Sequence, residues 1–521
     1  MPMNPSIFND VIGPVMRGPS SSHCAAALRL GRLARDLLEG DIEHVLIQFD
    51  RNGSLATTHE SQGSDMGLFA GLLGWEATDE RLPEAARIIR AGGVQVEIEI
   101  GAFGFDHPNT YRIELCNRQR RHTLTGISTG GGMVDVVALD GTPITIRGDY
   151  WETLIWIAGR PTEVADQLAE KTDADEILLH ECGDEVLLQV KAQRALDDSE
   201  IGRLCASGGV RHVRRLRPVL PVLSRRGMSV PFSTCQEMLR HDQGRNLPPW
   251  ELAVQYESQR GNLSPDEVLK RMVQIVRIVR VSLQQGLGGT AYRDRILGPQ
   301  CGQFQARLQA GGLLDGGLLN SVIRNVTALM EVKSAMGVIV AAPTAGACAA
   351  LPGTCLAAAD VLCLGDEQAA RAMLAGGLIG ILVAFRTTFA AEVCGCQAEC
   401  GVASGMTAAA LTSLAGAGIQ QAVDAASMVF QNSLGMICDP VANRVEVPCL
   451  GKNVMAAANA LACANMALAG YDPVVPLDEV IETMDRVGRS LPRELRCTAL
   501  GGLSVTRTSK KIEARLQRPT C

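Results

Sequence analysis

Cysteine and histidine are the residues of this chain best suited to metal and acid–base chemistry, and they occupy different parts of it. The sequence has 17 cysteines, and nine of them fall between residues 348 and 463, in stretches rich in Ala, Gly and Val. All eight histidines lie in the first 241 residues. A site that combines thiolates with an imidazole must therefore form between the first and the last part of the chain.

The cysteines themselves favour reduced thiols over disulfides. Their number is odd, and the cysteine-rich region has ample apolar residues for a core, so it does not need a disulfide framework. Segment 394–400 (CGCQAEC), Cys438 and Cys449 place thiols beside turn-forming Gly and Pro, where they can converge on a metal. Cys463 lies among alanines and is better explained by packing. The spacing matches neither a paired zinc knuckle nor a compact ferredoxin run, so buried thiols without a metal are the alternative.

Two polar segments of the first part are candidates for substrate contact. Segment 18–23 (GPSSSH) stands before the first predicted helix, where its serines can cap the helix and offer hydroxyl and N–H groups to a carboxylate. Segment 107–110 (HPNT) follows a predicted strand at a loop. The ordinary alternatives are a helix cap with a surface histidine in the first case and a simple turn in the second.

The elements that must position these residues divide the chain into three predicted domains. Residues 1–150 combine alternating strands such as 94–100 with a helix at 20–38, which predicts an α/β domain. Residues 151–222 show strand, helix, strand, strand, helix and strand, the order of a ferredoxin-like βαββαβ unit. Residues 230–521 lose strand alternation, so a mainly α-helical domain is predicted, with long helices at 265–285, 313–336, 367–385 and 453–468.

Composition and charge exclude some classes of function. Lys plus Arg total 49 and Asp plus Glu total 56, which gives a net charge of −7 and no indication of a basic nucleic-acid surface. The first residues lack the basic and then apolar pattern of a signal peptide. The longest apolar run, residues 372–385, has 14 residues, short of the ~18 needed to span a bilayer. We therefore expect a cytoplasmic protein without nucleic-acid or membrane partners.

Many motifs in order resemble the iron–sulfur-dependent L-serine dehydratase (L-serine ammonia-lyase) family, in the form that fuses β-type and α-type parts. The motifs similar to the β part are 11–16 (VIGPVM), 18–23, 54–58 (SLATT), 107–110 and 130–132 (GGG). Those similar to the α part are 342–346 (APTAG), 351–353 (LPG), 396–399 (CQAE), 432–441 (NSLGMICDPV) and 447–449 (VPC).

The resemblance covers nearly the whole chain and implies a β-elimination. The expected reaction is the conversion of L-serine to pyruvate and ammonia by a homodimeric hydro-lyase, with a four-iron, four-sulfur (4Fe-4S) cluster and without pyridoxal phosphate. The middle unit is similar to the ACT domain of some members, and the helical domain would hold the cluster.

The resemblance also assigns roles to particular residues. The three cluster cysteines correspond to Cys396, Cys438 and Cys449. Cys521 corresponds to the tail cysteine that is a labile fourth ligand in some members, with a free surface thiol as the alternative. The substrate contacts correspond to Ser20, Ser21, Ser22, Asn109, Thr344 and Gly346, and the candidates for the base are His23, His59 and His107.

The chain departs from the family pattern near the expected substrate pocket. Gln62 replaces the histidine of a Gly-His-Gly-Thr-Asp loop and cannot act as a base, and Cys24 stands where Thr is usual. After Cys396, the pattern Ala-Cys-Ser-Met is replaced by residues 403–406 (ASGM). Residues 159–162 (GRPT) replace the usual Asp-Arg-Pro-Gly turn of ACT domains, which favours a structural role for that unit. These changes leave two alternatives: elimination on another substrate, such as L-cysteine desulfidation or dehydration of another small hydroxy acid, and a catalytically degenerate binding or interaction subunit.

Overall fold

A computed structural model describes residues 4–38, 40–158, 161–206 and 209–516. Cys521 and residues 159–160 of the ACT-like turn therefore lie outside the described residues. The N-terminal part contains β1 (Val15–Met16), α1 (Ala26–Leu37), β2 (His44–Asp50), α2 (Leu55–Thr58), α3 (Ser64–Leu72), α4 (Ala85–Ala91), β3 (Gln95–Gly101), β4 (Thr110–Cys116), β5 (Arg121–Gly130), β6 (Met133–Leu139) and β7 (Thr142–Ile146).

Six of these strands form one mixed sheet in the order β3-β2-β4-β5-β6-β7. β2 runs parallel to β3, and the other neighbouring pairs are antiparallel. Helix α1 packs on β5 and β6 and lies against α3. Glycines allow this close helix contact, because a Cβ added at Gly31 would lie 2.4 Å from the carbonyl oxygen of Leu68. The contact brings the segments that precede α1 and α3, which carry His23 and Gln62, to the same end of the domain.

The middle part has the predicted βαββαβ order. It contains β8 (Trp151–Ile157), α5 (Pro161–Lys171), β9 (Ala174–Cys182), β10 (Glu185–Ala192), α6 (Asp198–Ala206) and β11 (Val210–Leu216). The strands form an antiparallel sheet in the order β11-β8-β10-β9. Residues such as Ile155, Val164, Leu168 and Leu188 form a core of their own under this sheet.

The rest of the described chain is mainly helical. It contains α7 (Cys235–Asp242), α8 (Pro249–Gly261), α9 (Pro265–Leu287), α10 (Cys301–Gln309), α11 (Leu318–Ser334), β12 (Ile339–Val340), α12 (Ala350–Val361), α13 (Asp366–Ala384), α14 (Ala391–Cys394), α15 (Cys400–Leu414), α16 (Ile419–Ser433), α17 (Cys449–Leu468), α18 (Leu477–Ser490) and α19 (Arg507–Leu516).

Helix α13 is the centre of this helical part. Its 19 residues make it long and apolar enough to cross a membrane, unlike the shorter apolar run seen in the sequence, but 78% of its apolar window is buried inside the fold. Small residues bring it close to α15, since a Cβ added at Gly376 would lie 2.8 Å from the carbonyl oxygen of Met406. Burial on all sides identifies α13 as a core helix.

The N-terminal segment crosses into the helical part before the first domain begins. β1 pairs with β12 through Val15 and Val340, and the backbone N–H of Ile7 donates to a carboxylate oxygen of Glu257 at 2.8 Å. The segment 18–23 follows directly. Its serines are therefore anchored against the helical part of the chain.

Candidate active site

Five buried cysteines gather where several helices and loops of the helical part begin or end. Their shared feature is a position at a turn, where the backbone changes direction and a side chain can face inward. Cys400 and Cys449 are the first residues of α15 and α17, and the others lie in turns or loops: Cys396, Cys438 and Cys497. Gly395 has a φ of 71°, and a Cβ there would lie 2.7 Å from the carbonyl oxygen of Met436. Glycine is thus required at the turn that brings Cys396 inward.

Cys396 lies at the centre of the thiol group. Its Sγ, the Sγ of Cys438 and a carboxyl oxygen of Glu399 all lie within 4.8 Å of one another. Interaction with the thiols of Cys400 and Cys438 holds the pKa of Cys396 well below its ordinary value, although burial opposes this. Burial raises the pKa of Cys449 to about 12. Cys396 is therefore the thiol most easily deprotonated in this group.

The half-buried Lys452 and the buried Lys333 bring positive charge to the same place. Lys452 Nζ donates to the carbonyl oxygen of Ile437 at 2.7 Å and lies 3.2 Å from Asp439 Oδ1. Lys333 is 1% exposed, and among the described residues its Nζ has no hydrogen-bond partner. Both charges act to lower the pKa of Cys449. Thiolates are the ligands of iron–sulfur clusters, so this donor set and its cations fit a sulfur-bound metal centre.

The three serines reach this region from the N-terminal part. Ser21 Oγ accepts a hydrogen bond from the backbone N–H of Ala345 at 3.1 Å, and Ser22 Oγ donates to Glu392 Oε1 at 2.9 Å. The expected helix cap does not form, because the helix begins with a π-turn (Ser21–Ala25) and Ser20 makes no side-chain cap bond. The hydroxyls instead hold the two parts of the chain together.

His23 is fully buried, and both of its ring nitrogens have partners. Thr58 Oγ1 donates to the carbonyl oxygen of Ser54 at 2.7 Å, so it accepts from His23 Nε2 at 2.9 Å. Nδ1 is then the unprotonated nitrogen and accepts from Ser20 Oγ at 3.0 Å. Burial lowers the pKa of His23, against the charge of Glu392. The ring is therefore neutral and fixed in orientation.

His59 and His107 differ in which ring nitrogen carries the proton. His59 Nδ1 lies 2.9 Å from the Asp65 carboxylate, so it donates to Asp65 and leaves a lone pair on Nε2. Burial lowers the pKa of His59, but the hydrogen bond and charge of Asp65 outweigh it and raise the pKa. His107 Nδ1 accepts from the backbone N–H of Asn109 at 3.1 Å, so its neutral ring carries the proton on Nε2. Burial lowers the pKa of His107, opposed by Glu392. His59 has the form of a base and His107 the form of a donor.

A cavity of about 290 Å³ lies between the N-terminal and helical parts, beside the thiol group. Three charged side chains line it, Glu392, Arg493 and Arg496, and the other lining residues are Asn52, Ser54, Pro108, Val393 and Thr498. Arg496 Nη1 donates to the carbonyl oxygen of Val393 at 3.2 Å, while its buried Nε has no partner among the described residues. Arg496 also forms a β-bridge with Cys438. The cavity wall is thus continuous with the thiol group.

The remaining predicted substrate contacts lie around the same region. Asn109 is buried, and neither atom of its side-chain amide has a partner among the described residues. The carbonyl oxygen of Gly346 accepts from Asn453 Nδ2 at 2.7 Å. A Cβ added at Gly346 would lie 3.2 Å from Glu399 Oε1 and 3.5 Å from Thr344 Oγ1. Residues 344–346 therefore face the carboxyl group beside Cys396.

Several polar residues of the site carry no signal in the sequence. Glu392, Arg496, Lys333 and Cys497 belong to no motif that the sequence offered. The position of Gln62 was recognised, but not its contacts: it donates to Asn443 Oδ1 at 2.9 Å across the two parts of the chain. This contact joins the first and last parts of the chain, and the expectation that imidazoles and thiols meet between them stays a prediction.

Comparison with known proteins divides the chain into the same N-terminal and helical parts. Residues 244–504 match the family described as serine dehydratase alpha chain. The chain is 34% identical over 285 residues to the probable L-serine dehydratase, alpha chain, of Bacillus subtilis (strain 168), covering 55% of this chain and 95% of that protein. It is 32% identical over 282 residues to the L-serine dehydratase, alpha chain, of Peptoniphilus asaccharolyticus, covering 54% and 97%. It is also 34% identical over 209 residues to the probable L-serine dehydratase, beta chain, of B. subtilis, covering 38% and 92%.

Proposed function

The chain belongs to the L-serine dehydratase family and joins counterparts of its α and β chains in one polypeptide, and from this premise we propose that it is a lyase that converts L-serine to pyruvate and ammonia. One observation carries the proposal beyond the comparisons. The cavity between the two parts is lined by the carboxylate of Glu392 and the guanidinium groups of Arg493 and Arg496, and Arg496 pairs with the buried Cys438. An α-amino acid needs such opposite charges, and its elimination needs a base.

Cys396, Cys438 and Cys449 are the residues that would hold a 4Fe-4S cluster, without pyridoxal phosphate. When bound, the cluster supplies a Lewis acid for the hydroxyl that leaves Cβ. The convergence of Cys396, Cys438 and Glu399 within 4.8 Å supports this assignment. A tail ligand at Cys521 stays a prediction.

The charged cavity groups would orient the substrate. Arg496, whose Nε has no partner in the part of the chain that the structure describes, is suited to the α-carboxylate, because a guanidinium binds carboxylate through two parallel hydrogen bonds. Glu392, held by Ser22, is suited to the α-ammonium. The side-chain amide of Asn109, unpaired within the described ranges, supplies a further donor and acceptor. Such fixation of the substrate is a large part of barrier reduction in enzymes.

His59 is the proposed base for the α-proton, because the Asp65 bond leaves its Nε2 lone pair available. His107 would donate from Nε2, and His23 would hold Ser20 and Thr58 in place. Removal of the α-proton and loss of the β-hydroxide as water leave aminoacrylate. This tautomerises to an imine and takes up one water, which gives pyruvate and ammonia with no net water consumed.

The proposal extends to the organisation of the protein. The predicted domains at 1–150, 151–222 and 230–521 would be a β-type domain, an ACT-like domain with a structural role and an α-type domain, in a cytoplasmic homodimer. The antiparallel sheet order β11-β8-β10-β9 supports the ACT-like assignment. Light scattering of the full-length protein tests the homodimer, and a monomer would overturn it.

Substrate identity is tested by steady-state assays of anaerobically reconstituted full-length protein. L-serine, L-cysteine and L-threonine are compared, with pyruvate or 2-oxobutanoate as the product measured. We expect kcat/KM to be highest for L-serine. A higher value for L-cysteine would replace dehydration by desulfidation, and no product from any of the three would support the degenerate binding subunit.

A further inference from the structure

We propose that Cys497 is a fourth cysteine ligand of the metal centre, in addition to Cys396, Cys438 and Cys449. This inference rests on the proposed function for the presence of the centre. Cys497 would then take the exchangeable position that the resemblance gives to Cys521, on the iron that the three other cysteines leave free for the substrate.

The first support is the position of the Cys497 side chain. Cys497 is 5% exposed and packs in one cluster with Ala391, Cys396 and Cys438. Its thiol is in hydrogen-bonding contact with the thiol of Cys438. Cys497 therefore joins the same group of sulfur atoms as two of the assigned ligands.

The second support is that the backbone holds Cys497 in register with Cys438. The N–H of Cys497 donates to the carbonyl oxygen of Cys438 at 2.9 Å, and the N–H of Cys438 donates to the carbonyl oxygen of Leu495 at 2.8 Å. Cys497 also has a φ of 56°, which is unfavourable for a residue with a side chain and persists only where its surroundings impose it. The backbone thus fixes the position of the Cys497 side chain beside Cys438.

The third support is the partner of Cys497 on the N-terminal part. Gln62 Nε2 lies 3.7 Å from Cys497 Sγ, in position to donate, and donates to Asn443 Oδ1 at 2.9 Å. N–H groups that donate to ligand sulfur atoms stabilise the thiolate form and tune the centre. Gln62 cannot act as a base. Its role in this inference is to donate a hydrogen bond to a ligand sulfur.

Other thiols nearby do not share these features. Cys400 contacts Cys396, but it packs among Ala347, Ala350, Ala403 and Ala456. Cys463 bonds to asparagine side chains on α16 and α17. Of these three additional cysteines, Cys497 alone combines contact with Cys438, a fixed backbone and a side-chain donor from the N-terminal part.

The test compares Cys497→Ser, Cys521→Ser and Cys463→Ser in the full-length chain. Each protein is reconstituted anaerobically, its iron and sulfide are counted, and the growth of the three-iron electron paramagnetic resonance signal is followed after exposure to air. A centre that lacks one thiol ligand loses an iron faster, so we expect Cys497→Ser to accelerate the signal ~10-fold or more. Cys463→Ser and Cys521→Ser should behave as wild type.

The inference would be overturned if Cys521→Ser accelerated the growth of the three-iron signal and Cys497→Ser did not. Equal rates of signal growth in wild type and the three variants would overturn it as well. If Cys497→Ser fails to fold, Gln62→Met provides the second test, because it removes the donor and keeps the thiol. It should shift the visible absorption and reduction potential of the centre, and an unchanged spectrum and potential would contradict the inference. Failure of the proposed function is distinguishable, because wild-type protein would then load iron and release no pyruvate.

Discussion

Replacing Glu392 by Gln should weaken substrate binding, because it removes the carboxylate charge from the cavity while keeping the side-chain shape. The Glu392 side chain is 4% exposed and lies 3.6 Å from His23 Nδ1. Its Oε1 accepts from Ser22, a bond that the amide oxygen of Gln can also accept. A buried hydrogen bond to a charged group contributes about 1.5–3 kcal/mol. Loss of the bond to the α-ammonium should therefore lower kcat/KM for L-serine by about 10- to 150-fold.

The loss of Glu392 should appear mainly in KM, because the ammonium is bound equally before and during the reaction. The pH profile adds a second readout. The charge of Glu392 raises the pKa of His107 against burial, so the substitution should lower that pKa further. The charges that act on His59 are those of Asp65 and Glu60. If His59 is the base, the acidic limb of kcat/KM should not move.

The assay is pyruvate release by anaerobically reconstituted protein, with kcat and KM determined from pH 5 to 9 in roughly half-unit steps, a range that spans ordinary imidazole pKa values. The matched control is Glu482→Gln, since this carboxylate of α18 is 56% exposed. An unchanged KM for Glu392→Gln would refute the assignment of the ammonium site. A shift of the acidic limb to lower pH would point to His107 or His23 as the base, because the charge of Glu392 raises the pKa of both.

Three further outcomes follow from the same geometry. Cys396→Ser should abolish iron binding, measured as iron per chain, whereas Cys463→Ser should retain it; the opposite pattern would refute the ligand assignment. Asp65→Asn removes the group that raises the pKa of His59, so the acidic limb of the kcat/KM profile should move to lower pH and kcat should fall by about 100-fold or more. An acidic limb that does not move would exclude His59 as the base. Gly346→Ala places a Cβ 3.2 Å from a carboxyl oxygen beside the metal centre, so kcat/KM should fall by about tenfold or more with iron content intact, and full activity would show that this loop lies away from the substrate.

The parts of the fold that could be predicted were those with a strong local signal. The alternation in strands and the helical spacing between them gave the βαββαβ order of the middle part. Helix boundaries failed where turn residues overrode the apolar pattern. Helix α11 begins at Leu318 and not at 313, because Gly317 interrupts it with a φ of 49°. Helix α17 begins four residues before the predicted start, at Cys449, directly after Pro448.

The site could be predicted only where a sequence motif, or the distribution of histidines and cysteines along the chain, pointed to it. The separation of histidines from clustered cysteines predicted that both parts must contribute, and Ser22 and Glu392 show that the two parts meet beside the cavity. Arg496 and Cys497 could not be found in this way, because their function depends on pairing with Cys438, 58 and 59 residues earlier in the sequence. Gln62 was identified as a departure, but its contact with Cys497 is a property of the folded chain.

The central claim is that L-serine acts directly at a metal centre held by Cys396, Cys438 and Cys449. The most direct test is Mössbauer spectroscopy of full-length protein reconstituted with isotopically enriched iron, recorded before and after addition of L-serine. We predict that the resonance of a single iron site changes on addition of L-serine and stays unchanged with D-serine. A spectrum that L-serine leaves unaltered at a concentration that saturates turnover would contradict the account.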